Sequence, residues 1–407
     1  MSTPPSLRQA LSLPLIVLYG LGSTVGAGIY ALTGKVAGVA GMHAPLSFLL
    51  AAVLAGFTAF SFTELSARLP FSAGEARFAA TAFGSRRFAL AVGLAVVLSG
   101  VISSATIVNA FHGYLDDLWP VPREPVIAMT IIALVLVACW GIRESVAIAA
   151  TMTVIEVGGL LLIIAAASGS LGDLPLRLGE LAPPPPGVLW NGILFGAVLA
   201  FYAFIGFEDI VNIAEEASGA ARIVPQAILL TLAITTILYV ALAIVAVTSV
   251  PPAELAASNA PLVLVYTSGG AGSSAIINLI AFIAVINGAL IQTIMAARVL
   301  YGLAQMKDLP AILGRVHPRT RTPVAATITV GVLLLAFALA LPLIRLAELT
   351  AIIVLAVFIV CNAALIRIKL RDPLPPGMRT VPLWVPVIGA LVSTGMLGYA
   401  LLRPLLG

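Results

Sequence analysis

Apolar runs of about 20 residues recur along almost the entire chain, each long enough at 1.5 Å per residue to cross about 30 Å of hydrocarbon. Eleven can be drawn, at roughly 13–40, 45–67, 88–111, 125–141, 146–168, 188–217, 224–249, 273–300, 323–342, 346–367 and 383–402. Backbone at that depth must satisfy its own N–H and C=O groups, which a helix does within one segment. With 61% hydrophobic and only 9% charged residues, the chain has too little polar surface to coat a soluble globule. The expected class is an all-α polytopic membrane protein of about 11 transmembrane helices, residues 1–407 forming a single transmembrane domain in a lipid bilayer.

Basic residues set the orientation. With a cytoplasmic N-terminus, sixteen Lys and Arg fall in inside segments and five, Lys35, Arg123, Arg177, Arg345 and Arg403, fall outside. That bias predicts a multi-pass protein of a bacterial-type inner (plasma) membrane with its N-terminus in the cytoplasm. It also accounts for the net charge of +4, so no nucleic-acid partner is implied. The first run lacks a small-residue cleavage pattern and reads as a retained span, not a signal peptide. Cys139 and Cys361 lie in apolar runs as expected free thiols, and the scattered His43, His112 and His317 do not make a metal site.

Two runs are interrupted near their middles, one at Gly22-Ser23-Thr24-Val25-Gly26-Ala27-Gly28 and the other at Phe204-Ile205-Gly206-Phe207-Glu208-Asp209. The first break lies about ten residues into its run and Phe204 about sixteen into the sixth, which brings both near mid-bilayer. Residues 169–187, with Pro183 to Pro186 as a stiff extended spacer, separate the two halves on the outside. Five spans separate the starts of the halves, so the second is inverted relative to the first. The organisation expected is a five-plus-five inverted repeat, about 13–168 and 188–367, with an extra helix at about 383–402. Matched breaks in such a repeat point to a binding site at the midplane. The other long loop, 301–322, is basic and is assigned to the inside.

Gly22, Gly26 and Gly28 let the first backbone unwind, and a helix restarting near Ile29 would present its positive end to an anion such as a carboxylate. Gly22 and Gly26 also spell a G-x-x-x-G packing face. In the sixth run the acidic pair Glu208 and Asp209 follows Gly206 directly, and charges at that depth need a cavity or a partner. Ending the helix there instead would strand Ile210, Val211 and Ile213 in water.

These segments resemble the amino acid–polyamine–organocation transporters. Gly22 through Tyr30 is similar to that family's first-helix signature, Phe201 through Glu216 to its sixth, and Arg298 through Ala304 with Leu309-Pro310 and Val316 through Pro323 to its loop after the eighth helix. The resemblance implies the LeuT-like fold with broken helices 1 and 6, and a permease that is not an enzyme. It implies a substrate carboxylate on Ser23, Thr24, Gly26, Ala27 and Gly28, with Tyr202, Ala203, Phe204 and Gly206 lining the amine and lid side. Ile102, Ser103, Ser104 and Asn287 are further candidates for the pocket wall.

One departure bears on mechanism. Where several proton-coupled relatives carry a lysine in the fifth helix, this chain has Glu156. An acid at mid-span is a functional candidate. Glu156 and Glu208 are therefore the expected coupling residues. The function expected is secondary active, proton-coupled symport of an amino acid or amine, with no cofactor and with sodium left open as the coupling ion. The alternative is an exchanger, or a cationic amino acid or polyamine transporter, without proton coupling.

Overall fold

The computed structural model describes residues 7–118, 121–185, 189–258, 260–270, 275–341, 343–372 and 380–406. Every run drawn from the sequence carries apolar helix. The first span is split into Leu13–Thr24 and Ala27–Ala40, and spans two to five are Ala44–Arg68, Arg86–Leu118, Arg123–Trp140 and Ile142–Ala166. The sixth is Leu189–Phe201 followed by two 3-10 segments, Tyr202–Phe204 and Phe207–Glu216. Spans seven to eleven are Ala220–Ser249, Ala275–Gln305, Val324–Ala340, Leu343–Arg371 and Trp384–Leu406. Among the described residues nine helices are long and apolar enough to cross a membrane, and Leu13–Thr24 and Val324–Ala340 are shorter apolar helices.

The helices satisfy themselves in the way lipid requires. Hydroxyls inside them donate back one turn, as Thr33 does to the Ile29 carbonyl at 2.7 Å. Pro14 and Pro45 stand in first turns, where a missing N–H removes no intrahelical bond.

Spans one to four each pack against the span five places later, most extensively two on seven and three on eight. Equivalent members of the two halves therefore face one another across the centre. Loops assigned to the inside also meet at one end of the bundle. Leu7 clusters with Tyr301 and Val316. Glu64 at the end of span two accepts from Arg68 at 2.7 Å and from Lys369 of span ten at 2.8 Å.

Three expectations are corrected. The first break is narrower than drawn: Gly22, Ser23 and Thr24 close a helix, only Val25 and Gly26 leave it, and helix resumes at Ala27 instead of Ile29. Every helical residue kept saves a backbone pair from exposure to lipid, so the unwinding stays at its minimum. The 169–187 segment is not simply an extended spacer, since it contains the 3-10 turn Ser168–Asp173 and the helix Leu174–Leu181. Pro183 to Pro185 lack regular structure, and Pro186 lies outside the described residues. Finally, the eighth helix runs on to Gln305, into the segment read as a loop.

Candidate substrate site

The two breaks lie directly against each other. At Gly206 φ is 129°, a conformation L side chains rarely adopt, and a Cβ there would sit 2.6 Å from the Ser23 carbonyl oxygen and 2.7 Å from its carbon. Glycine is thus required twice, by the turn and by the contact. Tyr239 of span seven ties the breaks from behind, its hydroxyl lying 2.8 Å from the Thr24 carbonyl and 3.1 Å from that of Ala203. A single O–H proton is shared between the carbonyl ends of both interrupted helices.

In front of the breaks is a cavity of about 290 Å³. From the first span it is lined by Ser23, Thr24, Gly26 and Gly28, and from the sixth by Tyr202, Ala203, Gly206, Glu208 and Asp209. The half-helix Ala27–Ala40 starts at Gly26 with no side-chain cap, so its first N–H groups are free to bind an anion. Gly28 stands in that first turn, 3.5 Å from the Ala203 Cα when given a Cβ. A methyl would fit, but a branched side chain would fill the space in front of the N–H groups. Gly28→Val should therefore abolish amino acid binding by the purified protein while a single monodisperse peak persists on size exclusion. Wild-type affinity in that variant would mean the glycines serve helix packing alone.

Not every expected residue reaches the cavity. Phe204 does not line it: the 3-10 turn swings its ring away to pack edge-on against Tyr239 at 5.1 Å, where it is wholly buried. The Thr24 hydroxyl is spent on the Gly20 carbonyl at 2.8 Å. Of the wall candidates, Ser103 lines the cavity, whereas Ser104 donates to the Ala289 carbonyl at 3.0 Å and Ile102 is buried in the core. Ala27 opens the second half-helix.

Glu156 stands behind the breaks and off the cavity wall. Its Oε1 accepts from the Asn287 amide of span eight at 2.8 Å, and the same amide donates to Thr153 at 3.0 Å. Gly22 of span one closes over this group, since a Cβ on Gly22 would meet Thr153 Oγ1 and, at 2.6 Å, the Asn287 amide nitrogen. Glu156 thus joins spans one, five and eight in one buried contact. Its Oε2 has no partner among the described residues.

Gln292 and Glu75 escaped the sequence reading, whereas Asp209 is one of the acidic pair expected to need a cavity or a partner. Asp209 accepts hydrogen bonds from the Ser23 hydroxyl and, at 2.6 Å, from the Gln292 amide of span eight. A glutamine in the middle of an apolar run was the available signal for Gln292. Glu75 also lines the cavity, from the first turn of the helix Gly74–Phe83 between spans two and three. Burial pushes its carboxyl up to about 8, against the lowering effect of its hydrogen bonds, one of them from Asn212 at 3.1 Å.

Comparison with known proteins accords with this geometry. A family profile described as amino acid permease matches residues 11–404. The vacuolar cationic amino acid transporter 4 of Arabidopsis thaliana is 30% identical over 91% of this chain, which spans 65% of that relative's length. The branched-chain amino acid permease BcaP of Bacillus subtilis is 28% identical over 93% of this chain and 86% of its own. Among solved structures, MhsT in complex with L-phenylalanine superposes with a TM-score of 0.61, at 18% identity, over 97% of this chain and 99% of its own, and so has the same LeuT-type fold. The chain belongs to the amino acid permease family, within the amino acid–polyamine–organocation transporters.

Proposed function

We propose that this protein is a secondary active transporter that carries an amino acid across a plasma or inner membrane together with a proton, by alternating access around the cavity between the broken first and sixth spans. The observation that carries this reading is the pairing of an uncapped half-helix N-terminus with a reversed glycine turn, both opening on one cavity. An α-carboxylate suits the free N–H groups, and an α-amine suits the carbonyls released at the sixth-span turn. The relatives act on cationic and on branched-chain amino acids, according to their names, and share that α-amino acid head.

Glu156 is the coupling residue in this reading. It is buried, has no basic partner among the described residues, and bridges the fifth span to the first and eighth. Gain or loss of its proton alters a contact shared by elements that line the cavity and one that does not. Glu208 is the second candidate, its carboxylate accepting from the Gly206 N–H at 2.8 Å within the sixth-span turn.

In proteoliposomes, Glu156→Gln should keep exchange of labelled amino acid across the membrane and lose accumulation driven by an inward proton gradient, because the amide holds the neutral state permanently. Full gradient-driven accumulation by this variant would remove Glu156 from coupling. Absence of any proton dependence in the wild type would favour the exchanger reading.

A further inference from the structure

The part of the cavity lined by span ten and the helix Gly74–Phe83 has an uneven chemistry. Three carboxyl side chains line it, Glu75, Glu208 and Asp209, and none of the described lining residues is Lys, Arg or His. These acids are close enough to act on one another electrostatically, Glu208 with both Asp209 and Glu75. All three have at least one protein donor. Asp209 takes Ser23 and Gln292, and Glu208 takes the Gly206 N–H. Glu75 is 1% exposed and uses Oε1 for Asn212, but its Oε2 has no partner among the described residues. A buried carboxyl oxygen on a cavity wall, beside two further acids, thus has no donor among the described residues. Val96, Val354, Val357 and Phe358 also line the cavity and offer apolar surface suited to a methylene stem.

We propose that Glu75, Glu208 and Asp209 form a subsite for the cationic end of the substrate's side chain, so that the preferred cargo is an α-amino acid ending in an ammonium or guanidinium group. The proposal rests on the amino acid transport reading above and narrows it. The α-carboxylate takes the half-helix N-terminus at Gly26 to Gly28, the stem lies along the valines, and the terminal N–H groups reach Glu75 Oε2. Asp209 and Glu208 supply the remaining negative charge. A neutral aliphatic side chain would leave Glu75 Oε2 without a partner.

The test is competition binding on the purified full-length protein with L-lysine, L-norleucine, which has the same carbon skeleton without the ammonium, and cadaverine, which lacks the carboxylate. Lysine should bind about tenfold or more tightly than norleucine, the scale of a charge-assisted hydrogen bond. It should also bind more tightly than cadaverine. The ratio of lysine to norleucine affinity should fall towards one in Glu75→Gln. Asp209→Asn gives the same reading should Glu75→Gln fold poorly. Norleucine binding as tightly as lysine in the wild type, or a ratio that persists in both variants, overturns the subsite and leaves amino acid transport standing. Binding of cadaverine but of no amino acid overturns both.

Discussion

Gly206→Ala should weaken amino acid binding about thirtyfold or more, and transport with it, while the protein still inserts and stays monodisperse. Two independent penalties arise at that position. A left-handed φ of 129° strains any residue with a Cβ, at about 1–3 kcal/mol. The new methyl also overlaps the Ser23 carbonyl group, whose oxygen would lie 2.6 Å away, and overpacking of this kind costs about 1–3 kcal/mol. Both are relieved in one way only, by moving the sixth-span turn off the first-span break. That separation pulls apart the two surfaces that build the cavity and draws the Ala203 carbonyl off Tyr239. Gly84→Ala is the control. It sits at φ 66° at the end of the helix Gly74–Phe83 with nothing within 4 Å of a Cβ, so it should cost stability of about 1 kcal/mol and leave binding alone. Gly206→Ala binding like the wild type would mean that the breaks do not touch in the substrate-bound protein.

Hydropathy alone located the apolar helices, because lipid enforces a single solution on any long apolar run, although the third runs seven residues beyond its drawn end to Leu118 and the eighth five beyond to Gln305. It also located the two breaks, since glycine and an acidic pair have few other reasons to stand at mid-span. Side-chain direction was less legible. Tyr202, Ala203 and Phe204 are adjacent, but in a 3-10 turn successive residues rotate by about a third of a circle, so two face the cavity and the third faces Tyr239. Nothing in the local sequence distinguishes that turn from a continued α-helix. Pairings between distant spans were harder still. Asn287 meets Glu156 across 131 residues, and only the facing of the third and fifth spans on the eighth brings such groups together. Glu75 was hidden for a different reason. Hydropathy correctly assigns its segment to a polar connection, but the helix Gly74–Phe83 turns back on the bundle, and Asn212 of the sixth span receives the Gly74 N–H and donates to Glu75. A loop assignment carries no information on whether the loop folds inward.

Arg298→Ala should lower the thermal midpoint by an amount corresponding to about 3–5 kcal/mol, because it removes one member of a fully buried ion pair. Arg298 of span eight donates to both carboxylate oxygens of Glu216 at the end of span six, at 3.2 and 3.3 Å, and neither side chain is exposed. Without the guanidinium, Glu216 is left as an uncompensated charge in an apolar setting. Replacing both partners, as Glu216→Gln with Arg298→Met, should restore most of the loss, since the desolvation cost disappears along with the attraction. The pair also has a functional setting. The carbonyl of Glu216 accepts the N–H groups of Ala10 and Leu11, and Ser218 donates to the Leu11 carbonyl, so the segment entering the first span is fastened to the end of the sixth where the eighth is held as well. Three elements are therefore closed together at the end of the bundle that carries the basic loops. Movement of the cavity towards that side has to part them. Arg298→Ala should accordingly also speed the leak of preloaded amino acid from proteoliposomes, an effect that a loss of stability elsewhere, such as Gly84→Ala, would not reproduce. A variant with the wild-type midpoint and wild-type leak would mean that Glu216 finds another partner and that the closure does not depend on the pair.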